Sequence, residues 1–279
     1  MNTMTRPVER IRRRAAFSLV EVLVSISVIA LLMSLLVPSL GRARNQARSV
    51  TCMSRVRQLG LAFHAYAHDH DDYALPTCAD ARTFWWGRLN PEGVDHTRGL
   101  MWPYLAGELR ERGVYECPAQ AYGTYGLQGK PYSEPNDPRW ITSTYGYNGY
   151  FLSPARSGWL GIGFRPWQKV CSIPGPDQVF AFADTLLSWD LTGKCLNVKN
   201  TAMLDPPYLF DGKSWRKNVS PTTCFRHLDR AAALFVDGHC ATAASEAPYV
   251  HKLARIGSAG ASNAPHYVPD YLDWVIAKP

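Results

Sequence analysis

The stretch Arg12-Arg13-Arg14-Ala15-Ala16-Phe17-Ser18-Leu19-Val20-Glu21, continued by VLVSISVIALLMSLLVPSL over residues 22–40, decides how this chain is built. From Ala15 to Leu40 the only charged side chain is Glu21. The apolar run amounts to about 24 residues, roughly 36 Å as a helix, against a hydrocarbon layer of about 30 Å. It is long enough to cross a membrane and too long for the apolar segment of an ordinary secretory signal. Gly41-Arg42-Ala43 behind it makes a poor small-x-small cleavage site, and the helical pattern does not stop there. Cys52, Val56, Leu59, Phe63 and Tyr66 recur at spacings of four, three, four and three, which puts them on one stripe of a continuing helix. The pattern predicts one helix over residues 17–72, roughly 75 Å long, with a membrane half at 17–40 and an amphipathic half beyond it.

Charge supports the same division. The net charge is +7, and residues 1–16 carry five Arg against one Glu, more than half of that excess. A second basic run, Arg42, Arg44, Arg48, Arg55 and Arg57, follows the apolar segment, with no acid before Asp69. Basic residues on both sides of an apolar stretch are membrane flanks, which argues against a nucleic-acid groove. Because both flanks are basic, charge alone does not orient the span. Hydrophobic residues at 46% and aromatics at 12% exclude a disordered chain.

Beyond Pro76 helical periodicity fades. Residues 118–176 are rich in Gly, Pro, Tyr and Asn, which reads as loops and short strands. Strands are predicted at Val179–Ala183 and at Ala231–Val236. The second runs into Asp237-Gly238 and residues 239–242, which predicts a hairpin with a two-residue type I′ turn. The fold class is therefore α+β, one long helix packed on a loop-rich antiparallel sheet, with residues 73–279 as the globular part. Seven cysteines occur without a Cys-x-x-Cys pair, so neither a zinc ribbon nor a thioredoxin-like site is expected, and their pairing is not legible. Nine tryptophans fit core plugs of a loop-rich domain better than a ligand surface.

The segment from Arg12 to Glu21 resembles the leader of type IV prepilins and type II secretion pseudopilins: basic residues, a small residue, Phe, Ser, Leu, an aliphatic residue and Glu. The resemblance implies a pilin-like fold and a leader over residues 1–16, cut between Ala16 and Phe17 by a prepilin peptidase that also methylates the Phe17 amine. Glu21 would become the fifth mature residue, and Pro38 would occupy the position where pilins commonly carry a helix-bending proline. Ala16 departs from the family, which usually has Gly before the cut. Phe225-Arg226-His227 followed after nine residues by Asp237-Gly238 resembles the His-x9-Asp-Gly segment of prepilin-like proteins, here residues 227–238. Arg57-Gln58-Leu59-Gly60-Leu61-Ala62 and Tyr115-Glu116-Cys117-Pro118 are similar to the same group.

The resemblance implies a structural protein, a pseudopilin or minor pilin, and not an enzyme. Implied partners are the prepilin peptidase and methyltransferase, other pilin-like subunits and an inner-membrane assembly platform, with the N-terminus cytoplasmic and the globular domain on the far side. The alternative is a membrane-anchored envelope binding module that uses the prepilin route only for export. No cofactor is expected, although His227, Asp237 and Gly238 are candidates for a structural or calcium contact, because some pseudopilins bind calcium near C-terminal loops. His64, His68 and Asp69 read either as a helix-end cap or as metal ligands, His64 and His68 sharing a face at i, i+4. His227, Asp237 and His239 do not make a hydrolase, since no Gly-x-Ser-x-Gly elbow occurs.

Overall fold

The computed structural model describes residues 19–105, 113–120, 143–188 and 198–274. Helix α1 covers Leu19–Asp69 and contains Pro38, which lacks the N–H that would reach the Ser34 carbonyl. Two compact units divide within it, residues up to Arg44 and residues from Asn45 onward.

In the first unit, the large apolar side chains from Leu19 to Leu40 are all exposed. The serines among them are satisfied internally. Ser25 donates to the Glu21 carbonyl at 2.7 Å, Ser34 to Leu31 at 2.7 Å and Ser39 to Leu36 at 2.8 Å. These hydroxyls offer no unmet donor to lipid, which is the condition for a polar side chain on a spanning helix.

The second unit begins with the packed half of α1. Cys52, Val56, Leu59, Gly60, Ala62, Phe63, Tyr66 and Ala67 are buried, which is the stripe predicted from the spacing, widened by small residues. The helix stops because Asp71 and Asp72 enter the left-handed region, φ 53° and 66°, which Asp tolerates better than most residues. The Asp72 side chain then accepts from the Cys171 backbone N–H at 2.8 Å, tying the helix end to a distant loop.

Strands follow in short pieces. A three-stranded antiparallel sheet contains β1 (Thr83–Phe84), β2 (Gly87–Asn90) and β3 (Gly93–Asp95). Next come β4 (Tyr145–Tyr147), the one-turn helix α2 (Gly149–Leu152) and β5 (Phe180–Asp184). Short strands β6 (Leu187–Ser188) and β7 (Val198–Lys199) form one ribbon, and β8 (Tyr208–Phe210) and β9 (Trp215–Lys217) another. Then come β10 (Thr223–Cys224), β11 (Arg230–Phe235), β12 (Cys240–Ala244) and β13 (Ile256–Gly257), with β10 paired to β13. The central sheet is antiparallel in the order β12-β11-β5-β4.

The α+β class is as predicted, and β5 and β11 lie within one residue of the expected strands. The hairpin differs. Gly238 has φ 91° but Asp237 is not left-handed, and the Gly238 N–H bonds the Phe235 carbonyl at 3.0 Å. A type I′ turn needs positive φ at both central residues. The chain instead makes a four-residue turn closed by a left-handed glycine, and strand β12 starts at Cys240.

The packed half of α1 is held to the sheet by aromatic and aliphatic contacts. Phe63 meets Phe182 of β5 edge to face at 6.3 Å between ring centres and lies 6.2 Å from the Tyr147 ring of β4. Trp85 also packs on Phe182, at 5.1 Å, and its indole N–H donates to the Ala202 carbonyl at 3.0 Å. Trp85, Trp86 and Trp274 are core residues, whereas Trp159 is partly exposed; Trp140 and Trp189 lie outside the described residues. At Gly60 the helix comes so close that an added Cβ would stand 2.6 Å from Leu234 Cδ1, on a fully buried side chain. Gly60→Val is therefore expected to destabilise the fold by about 1–3 kcal/mol through overpacking. Thermal unfolding would register this as a lower Tm, and an unchanged Tm would contradict the close packing.

Candidate functional site

Two places concentrate chemistry. The first is the apolar face of α1. Glu21 lies in the first turn, where a carboxylate complements the helix dipole, and it is the only charged residue between Leu19 and Leu40. Ala16 and Phe17, the predicted cleavage and methylation positions, lie outside the described residues, as does the leader. Among the described residues, α1 is the helix long and apolar enough to cross a membrane.

The second is a buried polar cluster that the sequence did not announce. Cys52 comes from α1, Cys117 from the loop after residue 113, Asp184 from the end of β5, and His227 from the turn before β11. All four are buried, and their ligand atoms lie within 4.8 Å of one another. Cys117 Sγ is 3.1 Å from His227 Nε2, which is 3.4 Å from Asp184 Oδ2. Cys52 Sγ stands 3.7 Å from Asp184 Oδ1.

Further groups hold these four in place. The Tyr145 hydroxyl lies 3.2 Å from Cys52 Sγ, and the Ala232 N–H donates to Asp184 Oδ2 at 2.8 Å. The Thr144 hydroxyl accepts from the Cys117 N–H at 2.6 Å. Arg226, its side chain only 7% exposed, reaches the Thr185 carbonyl at 2.5 Å and Gln120 Oε1 at 3.0 Å. Its Nε faces Asp184 Oδ1 at 3.6 Å, an ion pair without a hydrogen bond.

Electrostatics divide the two thiols. Burial pushes Cys52 well above its usual value, and Asp184 beside it adds to the effect. Burial also opposes ionisation of Cys117, but a hydrogen bond with Cys52, the Arg226 charge and His227 outweigh it and hold that thiol below its usual value. Burial and the Cys117 charge raise the Asp184 carboxyl to about 7 against the pull of Arg226 and His227.

The predicted site residues are dispersed. His227 precedes β11 and Asp237-Gly238 follows it, so the two ends of the 227–238 segment sit at opposite ends of one strand. The Asp237 carboxylate accepts from the His239 backbone N–H at 3.0 Å and pairs with the His239 ring at 2.6 Å. His64 faces this turn: an added Cβ on Gly238 would stand 3.1 Å from His64 Nε2, a buried atom without a hydrogen-bond partner. His68 and Asp69 are exposed on the last turn of α1, and Asp69 bonds the Tyr104 hydroxyl. Among the described residues, the grouping of Cys, His and acidic side chains that could hold a metal is the buried cluster, not His64, His68 and Asp69. Its signal was present in the two quoted segments Tyr115-Glu116-Cys117-Pro118 and Phe225-Arg226-His227, but nothing in their spacing joined them to each other or to Cys52 and Asp184.

An exposed apolar helix, long enough to cross a membrane and with one acid near its start, precedes an α+β body. The family model described as "Prokaryotic N-terminal methylation motif" matches residues 11–37, and the one described as "Protein of unknown function (DUF1559)" matches residues 41–105. The competence protein ComGC of Halalkalibacterium halodurans is 35% identical over 85 residues, covering 30% of this chain and 74% of that protein. No solved structure matches. The chain belongs to the type IV pilin-like family.

Proposed function

We propose that this chain is a pseudopilin or minor pilin of a type II secretion or type IV pilus-like apparatus, acting by assembly and not by catalysis. A prepilin peptidase removes residues 1–16 and the Phe17 amine is methylated. The helix then holds the protein in the inner membrane, N-terminus in the cytoplasm and globular domain outside. From there it packs against the helices of other pilin-like subunits. The observation that carries the reading is the apolar, exposed first half of α1 with Glu21 in its first turn. A charged side chain within an apolar span costs about 2.5–3.5 kcal/mol at mid-membrane and less near an end, a cost that a neighbouring cation offsets. In a bundle of parallel helices the amine of a neighbouring subunit's Phe17 is the cation at the right level.

Peptide mapping of the chain isolated from its own membranes tests the processing step. The expected N-terminal peptide begins at Phe17 and carries the added mass of a methyl group. A chain that is uncut, or one that begins near Arg44, would contradict the reading in favour of a plain anchor or a secretory signal. Since Ala16 stands where Gly is usual, Ala16→Gly is expected to process at least as fast as the natural sequence.

A further inference from the structure

We propose that Cys52 Sγ, Cys117 Sγ, His227 Nε2 and a carboxylate oxygen of Asp184 together bind one zinc ion, which fastens α1 to the sheet. Four observations support it, none of which depends on the filament reading. The first is distance. Ligand bonds of about 2.3 Å to sulfur and 2.0–2.1 Å to nitrogen and oxygen give a tetrahedron with edges of roughly 3.3–3.8 Å. Asp184 Oδ2 lies 3.4 Å from His227 Nε2 and 3.9 Å from Cys52 Sγ, and Cys117 Sγ lies 3.1 Å from His227 Nε2, all near those edges, with the four ligand atoms within 4.8 Å of one another.

The second is the donor set. Two thiolates, an imidazole and a carboxylate match zinc, whereas the carboxylate is unsuited to copper(I) and the thiolates to magnesium or calcium. Four protein donors with no exposed face describe a closed structural site and not a catalytic one, which keeps a coordination position open.

The third is charge. Two thiolates and the Asp184 carboxylate carry three negative charges, which one divalent cation and the Arg226 guanidinium cancel with His227 neutral. A charge-neutral cluster is what a buried site requires. Arg226 faces Asp184 Oδ1 at 3.6 Å, while His227 and the Ala232 N–H face Oδ2, so its charge stands beside the cluster.

The fourth is the surrounding shell. The Ala232 N–H fixes Asp184 Oδ2, Tyr145 reaches Cys52 Sγ, and the Thr144 hydroxyl fixes the Cys117 backbone. Partners of this kind orient first ligands and tune their basicity in metal sites. A carboxylate oxygen has lone pairs enough to keep the Ala232 bond and add a metal. The consequence for the fold is a link between segments 132 and 110 positions apart, made at the first buried residue of α1.

The test uses the full chain, purified in detergent under reducing conditions, with metal content measured by elemental mass spectrometry. About one zinc per chain is expected. Cys117→Ser is expected to lose most of it, while Cys240→Ser, a half-buried thiol on β12 outside the cluster, keeps it. Should Cys117→Ser fail to fold, the wild-type apo chain titrated with cobalt(II) decides. The expected spectrum shows the intense d–d bands of a tetrahedral site together with thiolate-to-cobalt charge transfer, saturating at one equivalent. Trace zinc, an apo chain that gives no cobalt bands, equal zinc in folded wild type and Cys117→Ser, or a Cys52–Cys117 disulfide in freshly isolated protein would each overturn the proposal.

Discussion

A chain trimmed to residues 73–279 is expected to be unfolded or insoluble, whereas one starting at Asn45 is expected to be a soluble, cooperatively folding domain. Val56, Leu59 and Phe63 of α1 are wholly buried and Tyr66 nearly so, all in the same core as Phe182, Tyr147 and Leu234. Burying a large apolar side chain contributes about 1.5–3 kcal/mol, so these four alone contribute roughly 6–12 kcal/mol. A domain of this size is stable by only about 5–15 kcal/mol in total. Losing the stripe also uncovers the face of β5 and β11 on which Phe63 and Gly60 rest, a surface prone to association. Circular dichroism and size-exclusion chromatography of the two truncations decide the matter. A monomeric, folded 73–279 fragment would show that the amphipathic half of α1 is an accessory and not part of the core.

The long helix was legible because both of its halves repeat a simple pattern over many residues. An uninterrupted apolar run and a four-three stripe persist whatever surrounds them, and the stripe Cys52, Val56, Leu59, Phe63, Tyr66 is the one that is buried. Strands β5 and β11 were legible as compact apolar runs. The ribbons β6 with β7 and β8 with β9 were not, since two or three residues are too few to show alternation. The hairpin turn was misjudged in type because Asp-Gly suits both a two-residue turn and a longer one closed by glycine; the pairing of Leu234 with Cys240 chooses the longer. The buried cluster stayed hidden for a different reason. Its four side chains come from four segments brought together only by the tertiary fold, and absence of a Cys-x-x-Cys pair excludes metal ligands that are neighbours in sequence but not those that are neighbours in space.

Glu21→Val carries the other large expected effect, and it separates a filament subunit from a protein that is merely anchored. Were Glu21 only tolerated in the membrane, its removal would ease insertion and leave everything else unchanged. If instead it pairs with the Phe17 amine of an adjacent subunit, the substitution strands a cation in a low-dielectric setting, at a cost of about 3–5 kcal/mol per contact. At about 1.4 kcal/mol per tenfold change, that is a weakening of at least a hundredfold in subunit association. Membrane residence and cleavage are expected to persist, since Glu21 is one residue of a long apolar helix. The decisive measurement is cysteine cross-linking between neighbouring subunits, with pairs of substitutions placed along residues 24–37, compared in the natural background and in Glu21→Val. The account predicts cross-linked ladders in the first and their loss in the second, with equal amounts of processed protein in the membrane; equal cross-linking in both backgrounds would contradict it and leave an anchored envelope binding module as the better description.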